Sequence, residues 1–524
     1  MAETLSKPPA QDSLLFEISA PGRRCARVPE SGIPRKSASD MLPANLLRKQ
    51  PAELPEVGEL DLVRHFNNLS SKNFSIDRNF YPLGSCTMKY NPKICDKAAS
   101  MPPFAELHPW QSEDEMQGAL EMMYRLQNYL IDISGLDAVT LQPAAGAHGE
   151  LTGIMCFKAY FESRGEHERK DILIPDSAHG TNPATCTMAG FEAVELKSNA
   201  QGAVDIEDLK KRVGPKTAGM MITNPSTLGI FESNIKQIAE ILHGAGALLY
   251  MDGANMNAIS GVARPGDFGV DCMHFNLHKT FAVPHGGGGP GAGPIAVRKQ
   301  LEPFLPVPRI VRGQGAGGRG QEEKKREESV IPAQAGIQSE GVAYHLDYNH
   351  PKSIGRVRSY YGNFLALVRA YTYMTACGRD GIRRNSQHAV LNANYVRAKL
   401  KGTYHIQHDR ICMHEAIFTD ALQAKESDIH AKDIAKRLLD YGIHPMTIYF
   451  PLAAVTGGHG SIMIEPTESE SKATIDYFID VMKKVAKEAK DNPQVIKDAP
   501  HTAPVRRLDE VKATTQPVLC YTCS

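Results

Sequence analysis

Two residues of opposite charge stand at the ends of apolar runs that are typical of buried strands. Asp252 ends the run ALLYMD (247–252), and Lys279 follows the run CMHFN (272–276). This pair suits pyridoxal phosphate, because a lysine ε-amine forms a Schiff base with the cofactor aldehyde and a carboxylate keeps the pyridine nitrogen protonated. Either residue alone is uninformative, so the prediction depends on further features nearby.

A cluster of small residues offers a phosphate site. The segment QPAAGAHGE (142–150) follows a strand-like run and precedes a helical pattern. The small residues Ala145, Gly146 and Ala147 let the backbone approach an anion, and the following helix N-terminus presents unpaired N–H groups and a positive dipole end. As a single signal this is weak, since small residues before a helix often mean only a tight turn.

Three further side chains are predicted to contact the cofactor. His179 lies in DSAHGTNPAT (176–185), a few residues after a strand, where its ring can lie flat on the cofactor ring. A lone histidine is more often structural, so the residues by themselves leave this role open. Asn224 also ends a strand-like run and is placed to donate a hydrogen bond to the cofactor's 3-oxygen, and His278 adjoins Lys279.

The elements that must position these residues alternate between residues 140 and 300. Strands alternating with helices predict right-handed crossovers and a mostly parallel sheet, in which ligands lie beyond the C-terminal strand ends. The predicted strands are 171–175, 193–197, 218–224, 247–252 and 272–276, and the predicted helices are 205–213 and 233–246.

The rest of the chain divides into three predicted regions. Residues 1–112 form an N-terminal arm and subunit-contact segment, because they are rich in Pro and Gly and contain few long periodic segments. Residues 113–365 form the large cofactor-binding domain, which opens with a helix at 113–134. Residues 366–524 form a smaller α/β domain, with a long helical pattern that begins near residue 351, strands at 414–418 and 447–451, and helices at 429–442 and 469–490.

Composition excludes several classes of protein. The chain has 524 residues, 59 basic and 59 acidic residues, and 42% hydrophobic residues. Balanced charge argues against a nucleic-acid binder, and no apolar run reaches the roughly 20 residues of a membrane span. The N-terminus lacks a secretory signal pattern, so a cytoplasmic location is expected. Of ten cysteines only Cys520 and Cys523 have CxxC spacing, and no metal site is predicted.

Two glycine-rich segments match the G-x-G-x-x-G pattern without its structural context. Residues 286–291 and 313–318 do not clearly lie between a strand and a helix of a βαβ unit, so a dinucleotide site is not predicted. The stretch 285–294 is better interpreted as a flexible loop near Lys279 that brings backbone N–H groups to a phosphate. The charge-rich stretch 313–341 is predicted to be a disordered insert.

Several longer motifs resemble one family, the P-proteins of the glycine cleavage system, and among them subunit 2 (the β subunit) of the two-subunit glycine dehydrogenase (decarboxylating). The similarity runs from about residue 60 to residue 510. The matching motifs are NFYPLGSCTMKYNP (79–92), PPFAELHPWQ (102–111), LQPAAGAHGE (141–150), DSAHGTNPAT (176–185), TNPSTLGIFE (223–232), MDGANMNAISG (251–261), HFNLHKTF (274–281) and PKSIGRVRSYYGNF (351–364).

The resemblance implies a fold-type-I, aspartate-aminotransferase-like enzyme. It implies that Lys279 forms the Schiff base, that Asp252 pairs with the pyridinium nitrogen and that His179 stacks on the ring. The implied reaction decarboxylates glycine, transfers the aminomethyl group to the lipoyl arm of the H-protein and releases CO2. The implied partners are a homologous α subunit, in an α2β2 heterotetramer, and the lipoylated H-protein.

Two other functions stay open. One is a fold-type-I decarboxylase that needs no lipoyl acceptor, and the other is a non-catalytic scaffold subunit. The presence of Lys279 together with Asp252 argues against the scaffold. The group that binds the glycine carboxylate is not assigned, and Arg356 and Arg358 are candidates only because fold-type-I enzymes often use an arginine there.

Overall fold

The computed structural model describes residues 13–27, 29–50, 52–285, 291–314, 342–449 and 456–519. These residues form two compact units, one that ends at Arg78 and one that begins at Asn79. Among the described helices, none combines the length and the apolar character needed to cross a bilayer. Cys520 and Cys523 lie outside the described residues, as do loop residues 286–290.

The described part of the first unit contains one helix of more than one turn and little other regular structure. Its elements are α1 (Ala38–Met41), a 3-10 turn (Ala44–Leu46) and α2 (Glu59–Ser71). The sequence interpretation of residues 1–112 did not anticipate α2. Its first turn carries Glu59 and Asp61, whose negative charges favour a helix N-terminus.

A seven-stranded sheet forms the centre of the second unit. Its strands lie in the order β1-β7-β6-β5-β4-β2-β3. Strands β2 to β6 run parallel to one another, and β7 is antiparallel to both of its neighbours. The bounds are β1 (Ala138–Thr140), β2 (Asp171–Pro175), β3 (Glu192–Leu196), β4 (Thr217–Thr223), β5 (Leu248–Gly253), β6 (Cys272–Phe275) and β7 (Ile295–Val297). All five predicted strands of this region are confirmed.

Strands β2 and β4 to β7 are buried on both faces and are mostly apolar, whereas the edge strand β3 is largely exposed. In β5, Leu249 and Met251 pack into one hydrophobic core, while Leu248 and Tyr250 pack into another. Successive side chains of a strand point to opposite faces, so the inner strands β2, β4, β5 and β6 contribute to both cores. This explains why the strands appear in the sequence as unbroken apolar runs.

Helices cover the two faces of the sheet. They are α3 (Lys93–Ala99), α4 (Pro102–Ala105), α5 (Gln117–Ser134), α6 (Gly146–Glu162), α7 (Thr181–Ala189), α8 (Ile206–Arg212), α9 (Ile235–Gly244) and α10 (Leu277–Thr280), with 3-10 turns at Glu113–Met116, Pro265–Phe268 and Glu302–Phe304. The predicted helix 113–134 is confirmed. It ends at Gly135, whose φ of +68° is the left-handed conformation that closes many helices.

The C-terminal part has small sheets and a second core. Its elements are β8 (Arg309–Gln314), β9 (Val342–Asp347), α11 (Phe364–Leu400), β10 (Ala416–Thr419), α12 (Ala421–Ser427), α13 (Ala431–Leu439), β11 (Ser461–Ile464), α14 (Lys472–Asp491), α15 (Pro493–Lys497) and α16 (Glu510–Thr515). Strands β8 and β9 pair, as do β10 and β11. The first two residues of the predicted insert, Gly313 and Gln314, belong to β8, and residues 315–341 lie outside the described chain.

Two C-terminal predictions differ from the structure. The helical pattern expected from residue 351 begins only at Phe364, because Gly355 and Gly362 have positive φ angles that a right-handed helix does not accommodate. The predicted strand 447–451 is reduced, in its described part, to a single bridge between Thr447 and Met463.

The long helix α11 joins the two parts of the second unit. Its first half packs into the core of the large sheet as far as Ile382, and its second half enters the C-terminal core from Ala393. The helix is interrupted at the non-helical Gly378, four residues before Ile382. Phe80 also packs in the C-terminal core, so the chain just after Arg78 is part of the second unit. The predicted division into 1–112, 113–365 and 366–524 stays a prediction.

Candidate active site

The predicted lysine and aspartate lie at the same edge of the sheet. Asp252 is the penultimate residue of β5 and pairs in register with His274 of β6. Lys279 follows β6 on the single turn α10 and is half-buried, with its N–H donating to the Asn276 carbonyl at 2.9 Å. Because the two strands are parallel, their C-terminal ends bring both residues to one side of the molecule.

Asp252 is buried yet held in its ionised form. Its Oδ1 accepts the Ala254 N–H at 3.0 Å and lies 3.4 Å from His274 Nε2, and its Oδ2 accepts from Asn182 Nδ2 at 3.3 Å. Burial acts to raise the pKa of Asp252, but His274, the Ala254 N–H and the charge of Lys279 outweigh it, so the pKa lies below its ordinary value. A buried, charged carboxylate of this kind suits a positively charged ring nitrogen.

The N-terminus of α6 is open where a phosphate is predicted. Ala145 precedes the helix, and both Ala145 and Ala147 are exposed. Within the described chain, the backbone N–H groups of Gly146, Ala147 and His148 have no hydrogen-bond acceptor. Gly146 also permits a close approach, because a Cβ there would lie 2.2 Å from Asn276 Oδ1. The N-terminus of α6 therefore offers three hydrogen-bond donors, and its first residue, Gly146, packs closely against Asn276.

His179 and Asn224 follow β2 and β4 at the same edge. His179 is exposed, and its Nδ1 lies 3.0 Å from Thr181 Oγ1 and accepts the Thr181 N–H at 3.2 Å. Asn224 is fully buried; its Oδ1 accepts the Glu232 N–H, whereas its Nδ2 has no partner among the described residues. A buried amide donor without an acceptor costs free energy unless a ligand uses it.

His278 lies beside Lys279 in an apolar setting. Its ring stands edge to face with that of His285, with centroids 5.3 Å apart. Burial, followed by the charges of His285 and Lys279, lowers the pKa of His278 to about 3. Gly291 packs so closely on this ring that a Cβ there would lie 2.3 Å from Nδ1. His278 is therefore a neutral ring packed between His285 and Gly291.

The structure adds acidic groups that the sequence did not reveal. His414, Glu415 and Glu465 are buried together, with ligand-type atoms within 4.8 Å of one another. Burial and then Glu465 raise the pKa of Glu415 to about 8, although the charge of Lys279 acts to lower it. The cluster comes from the residues just before β10 and just after β11, more than 130 residues after Lys279. Only packing between distant segments brings it there, so no local motif indicates it.

Two other missed residues lie behind Asp252. Glu150, on α6, and Asn182, on α7, are buried and hydrogen-bonded to each other at 3.0 Å. Both occur inside motifs quoted for other residues, LQPAAGAHGE and DSAHGTNPAT, and that position was the only signal available.

In the described part of the chain, the cavity that the two candidate arginines line includes neither Lys279 nor Asp252. Arg356 and Arg358 line a cavity of about 310 Å³ together with aromatic residues that include Trp110 and Tyr361. The charge of Arg358, after burial, contributes to lowering the pKa of His148. Arg358 is therefore near the first turn of α6, and neither arginine is assigned to the substrate by its contacts.

The site residues fit the predicted cofactor. An open helix N-terminus suits its phosphate, a buried carboxylate suits its ring nitrogen, an exposed imidazole suits its ring face, and the unpartnered Asn224 Nδ2 suits a ring oxygen. Lys279 lies in the same region, as its effects on the pKa values of Asp252 and Glu415 indicate.

Comparisons with known proteins agree on one family. Residues 36–323 match the model "Glycine cleavage system P-protein", and residues 385–503 match "Glycine dehydrogenase, C-terminal domain". The chain is 52% identical over 511 residues to a probable glycine dehydrogenase (decarboxylating) subunit 2 from Caldanaerobacter subterraneus, which covers 98% of this chain and 99% of that protein. A protein of the same name from Listeria welshimeri is 53% identical over 508 residues, with 97% and 98% covered.

Solved structures share the fold at low sequence identity. A glycine decarboxylase (P-protein) of the glycine cleavage system, in inhibitor-bound form, matches with a TM-score of 0.69 and 18% identity over 86% of this chain and 95% of that chain. A NifS-like protein matches with a TM-score of 0.57 and 15% identity over 78% of this chain and 99% of that chain. The predicted fold-type-I architecture is confirmed.

Proposed function

Because the chain belongs to the glycine cleavage system P-protein family, we propose that it decarboxylates glycine with pyridoxal phosphate as cofactor. The aminomethyl group goes to the lipoyl arm of the H-protein, and CO2 is released. The observation that carries the proposal is the convergence of Lys279, Asp252, His179 and the open end of α6 on one edge of the sheet.

Each residue has a role that follows from its position. Lys279 would hold the cofactor covalently through its ε-amine, and the three N–H groups of α6 that have no acceptor among the described residues would bind its phosphate. His179 would cover one ring face, and Asn224 would donate its unused amide hydrogen to a ring oxygen. These contacts would fix the ring so that the substrate carbon stands against it in one orientation.

The electronic role belongs to Asp252. Pyridoxal phosphate, when bound, supplies an electron-accepting ring that stabilises the electron pair left on the substrate carbon when CO2 departs. Asp252 remains ionised although it is buried, so it would keep a proton on the ring nitrogen. That proton makes the ring an effective electron acceptor.

The acceptor step requires a partner protein. The C–C bond of glycine breaks, and the carbon that retains the electron pair attacks one sulfur of the lipoyl disulfide. The S–S bond breaks, the second sulfur is reduced to a thiol, and the aminomethyl group stays on the first. The disulfide is thus the oxidant, and no flavin or nicotinamide is needed.

The name of the relatives, "subunit 2", supports a heteromer. We propose an α2β2 assembly with a homologous α subunit, in which cofactor affinity depends on assembly by mass action. The isolated chain should bind cofactor poorly, and adding the α subunit should restore cofactor binding and activity together. Full activity of the chain alone would contradict this part. The cytoplasmic location expected from the sequence stays a prediction.

The decisive experiment is a glycine–bicarbonate exchange assay with the α subunit and lipoylated H-protein. Lys279→Ala should abolish exchange and the visible absorption band at about 420 nm of a lysine-bound cofactor. Lys299→Ala is the matched control, because Lys299 also follows a strand but is exposed and pairs with Glu302. Borohydride reduction and peptide mapping should locate the pyridoxyl group on Lys279, and its recovery on another lysine would refute the assignment.

The same assay separates the alternatives. Release of free methylamine from glycine without H-protein would favour a decarboxylase that needs no lipoyl acceptor. An assembled complex in which this chain binds no cofactor would favour the scaffold subunit.

A further inference from the structure

Glu150 is a buried carboxyl that the proposed function does not use. It lies in the second turn of α6, is 3% exposed, and accepts hydrogen bonds from three donors, all on α7. The Thr181 hydroxyl donates to Oε1 at 2.9 Å, while Asn182 Nδ2 and the Thr185 hydroxyl donate to Oε2 at 3.0 and 3.3 Å. Burying a carboxyl is costly, and these three hydrogen bonds offset that cost and hold the group in one orientation.

The first donor leads to His179. Thr181 contacts the Nδ1 of that ring twice, through its hydroxyl oxygen at 3.0 Å and its backbone N–H at 3.2 Å. Its hydroxyl is at the same time directed to Glu150. The carboxyl therefore fixes the threonine rotamer, and the threonine fixes the ring that is proposed to cover the cofactor.

The second donor leads to Asp252. Asn182 is fully buried, and its Nδ2 donates both to Glu150 Oε2 at 3.0 Å and to Asp252 Oδ2 at 3.3 Å. One amide nitrogen thus links the two carboxyls. Glu150 holds the amide in place, and the amide orients the oxygen of Asp252.

The two carboxyls differ in how readily they take up a proton. Burial and then the charge of Asp252 raise the pKa of Glu150 above its ordinary value, whereas the pKa of Asp252 is lowered. As the pH falls, Glu150 takes up a proton first and Asp252 keeps its charge. Neighbouring carboxyls whose environments separate their pKa values have different roles.

We infer that Glu150 is a positioning residue that sets His179 through Thr181 and Asp252 through Asn182, and so holds the ring-face and ring-nitrogen contacts of the cofactor in register. The inference rests on the proposed function and adds to it a residue that touches neither cofactor nor substrate. Thr185 provides the contrast, because its hydroxyl contacts Glu150 but leads to neither predicted cofactor contact.

The test uses four variants of the chain, assembled with the α subunit and loaded with pyridoxal phosphate. Glu150→Gln replaces one acceptor oxygen by an NH2 group, so it cannot accept from both Thr181 and Asn182. Thr181→Val removes the hydroxyl, Thr181→Ser retains it, and Thr185→Val is the matched control. The readouts are the cofactor dissociation constant and the visible circular dichroism of the bound chromophore, with the thermal unfolding midpoint as a check on folding.

Glu150→Gln and Thr181→Val should weaken cofactor binding about tenfold, the scale of a lost hydrogen bond to a charged group, and should change the dichroism band. Thr181→Ser and Thr185→Val should stay close to wild type in both readouts. If Thr181→Val behaves like Thr185→Val, the inference is overturned, whether or not Glu150→Gln folds. A wild-type complex that binds no cofactor would instead refute the proposed function itself.

Discussion

A buried ion pair fixes the segment 79–92 to the rest of the second unit. Lys89 Nζ lies 2.7 Å from Glu468 Oε1, and the two side chains are 4% and 8% exposed. Lys89 also donates to Asn257 Oδ1 at 3.2 Å and to the Tyr373 hydroxyl at 3.4 Å. Burial acts to lower the pKa of Lys89, but Glu468 and Tyr373 raise it above its ordinary value, so the lysine remains charged.

Removing the lysine should leave an unpaired buried carboxylate. After Lys89→Met, Glu468 keeps the Tyr373 hydroxyl at 3.4 Å as its one side-chain partner among the described residues, where its Oε2 already has none. Breaking one side of a buried pair costs about 3–5 kcal/mol, and each 1.4 kcal/mol is tenfold in an equilibrium constant. Local opening of residues 79–92 should therefore become about a hundredfold more frequent, or more.

Amide hydrogen exchange followed by mass spectrometry measures this opening directly on peptides from 79–92. Lys93→Met is the matched control, because Lys93 directly follows the segment and is exposed. The double variant Lys89→Met/Glu468→Leu should recover most of the protection, since it removes both charges. If Lys89→Met exchanges no faster than Lys93→Met, the ion pair does not hold the segment.

Three further predictions concern the site. Asp252→Asn should leave the cofactor bound but slow glycine decarboxylation by about a hundredfold or more, because the ring nitrogen loses its charged partner; turnover near wild type would place that partner elsewhere. Gly146→Ala should reduce cofactor affinity and lower the free energy of unfolding by about 1–3 kcal/mol, because the new Cβ would lie 2.2 Å from Asn276 Oδ1. Gly118→Ala is the control and should not lower it, because no described atom lies within 4 Å of a Cβ at that position. Burial raises the pKa of Glu415 to about 8 in the folded state, above an unfolded value of 4.5. Between these pH values the folded state binds a proton that the unfolded state does not, so wild type loses stability as the pH rises. The thermal unfolding midpoint of Glu415→Gln should therefore exceed that of wild type by more at pH 8 than at pH 5, and a difference that does not change with pH would contradict the pKa shift.

The strand ends were readable from the sequence because both faces of the sheet are buried. Residues such as Leu249 and Tyr250 pack on opposite faces, so β5 appears as one apolar run that ends in Asp252. Parallel strands bring their C-terminal ends to one edge, so the sequence alone predicts that Asp252 lies near Lys279. The fold type and the family were predicted from the motifs that resemble P-proteins, and both predictions are confirmed.

Helix boundaries were predictable only where a local signal marks them. Gly135 ends α5 by adopting a left-handed conformation, and the sequence indicated that end. The helical pattern after residue 351 gave no such signal, and backbone conformations at Gly355 and Gly362 delay the start of α11. A glycine in the sequence shows that a positive φ angle is permitted at that position, whereas the tertiary structure determines whether the backbone adopts it.

Only the tertiary structure decided which side chains contact and orient the predicted cofactor-binding residues. Glu150 reaches Thr181 and Asn182 because α6 packs on α7, and Lys89 meets Glu468 across 379 residues of chain. Glu415 and Glu465 flank β10 and β11, whose packing in the C-terminal core brings them within electrostatic reach of Lys279. The positions of the strand ends follow from the local alternation of strands and helices, which can be predicted from the sequence. The buried polar partner of a site residue, however, depends on how distant segments pack. Periodicity and spacing therefore determined the edge of the sheet and its lysine and aspartate, whereas the groups that orient and charge them followed from the folded chain alone.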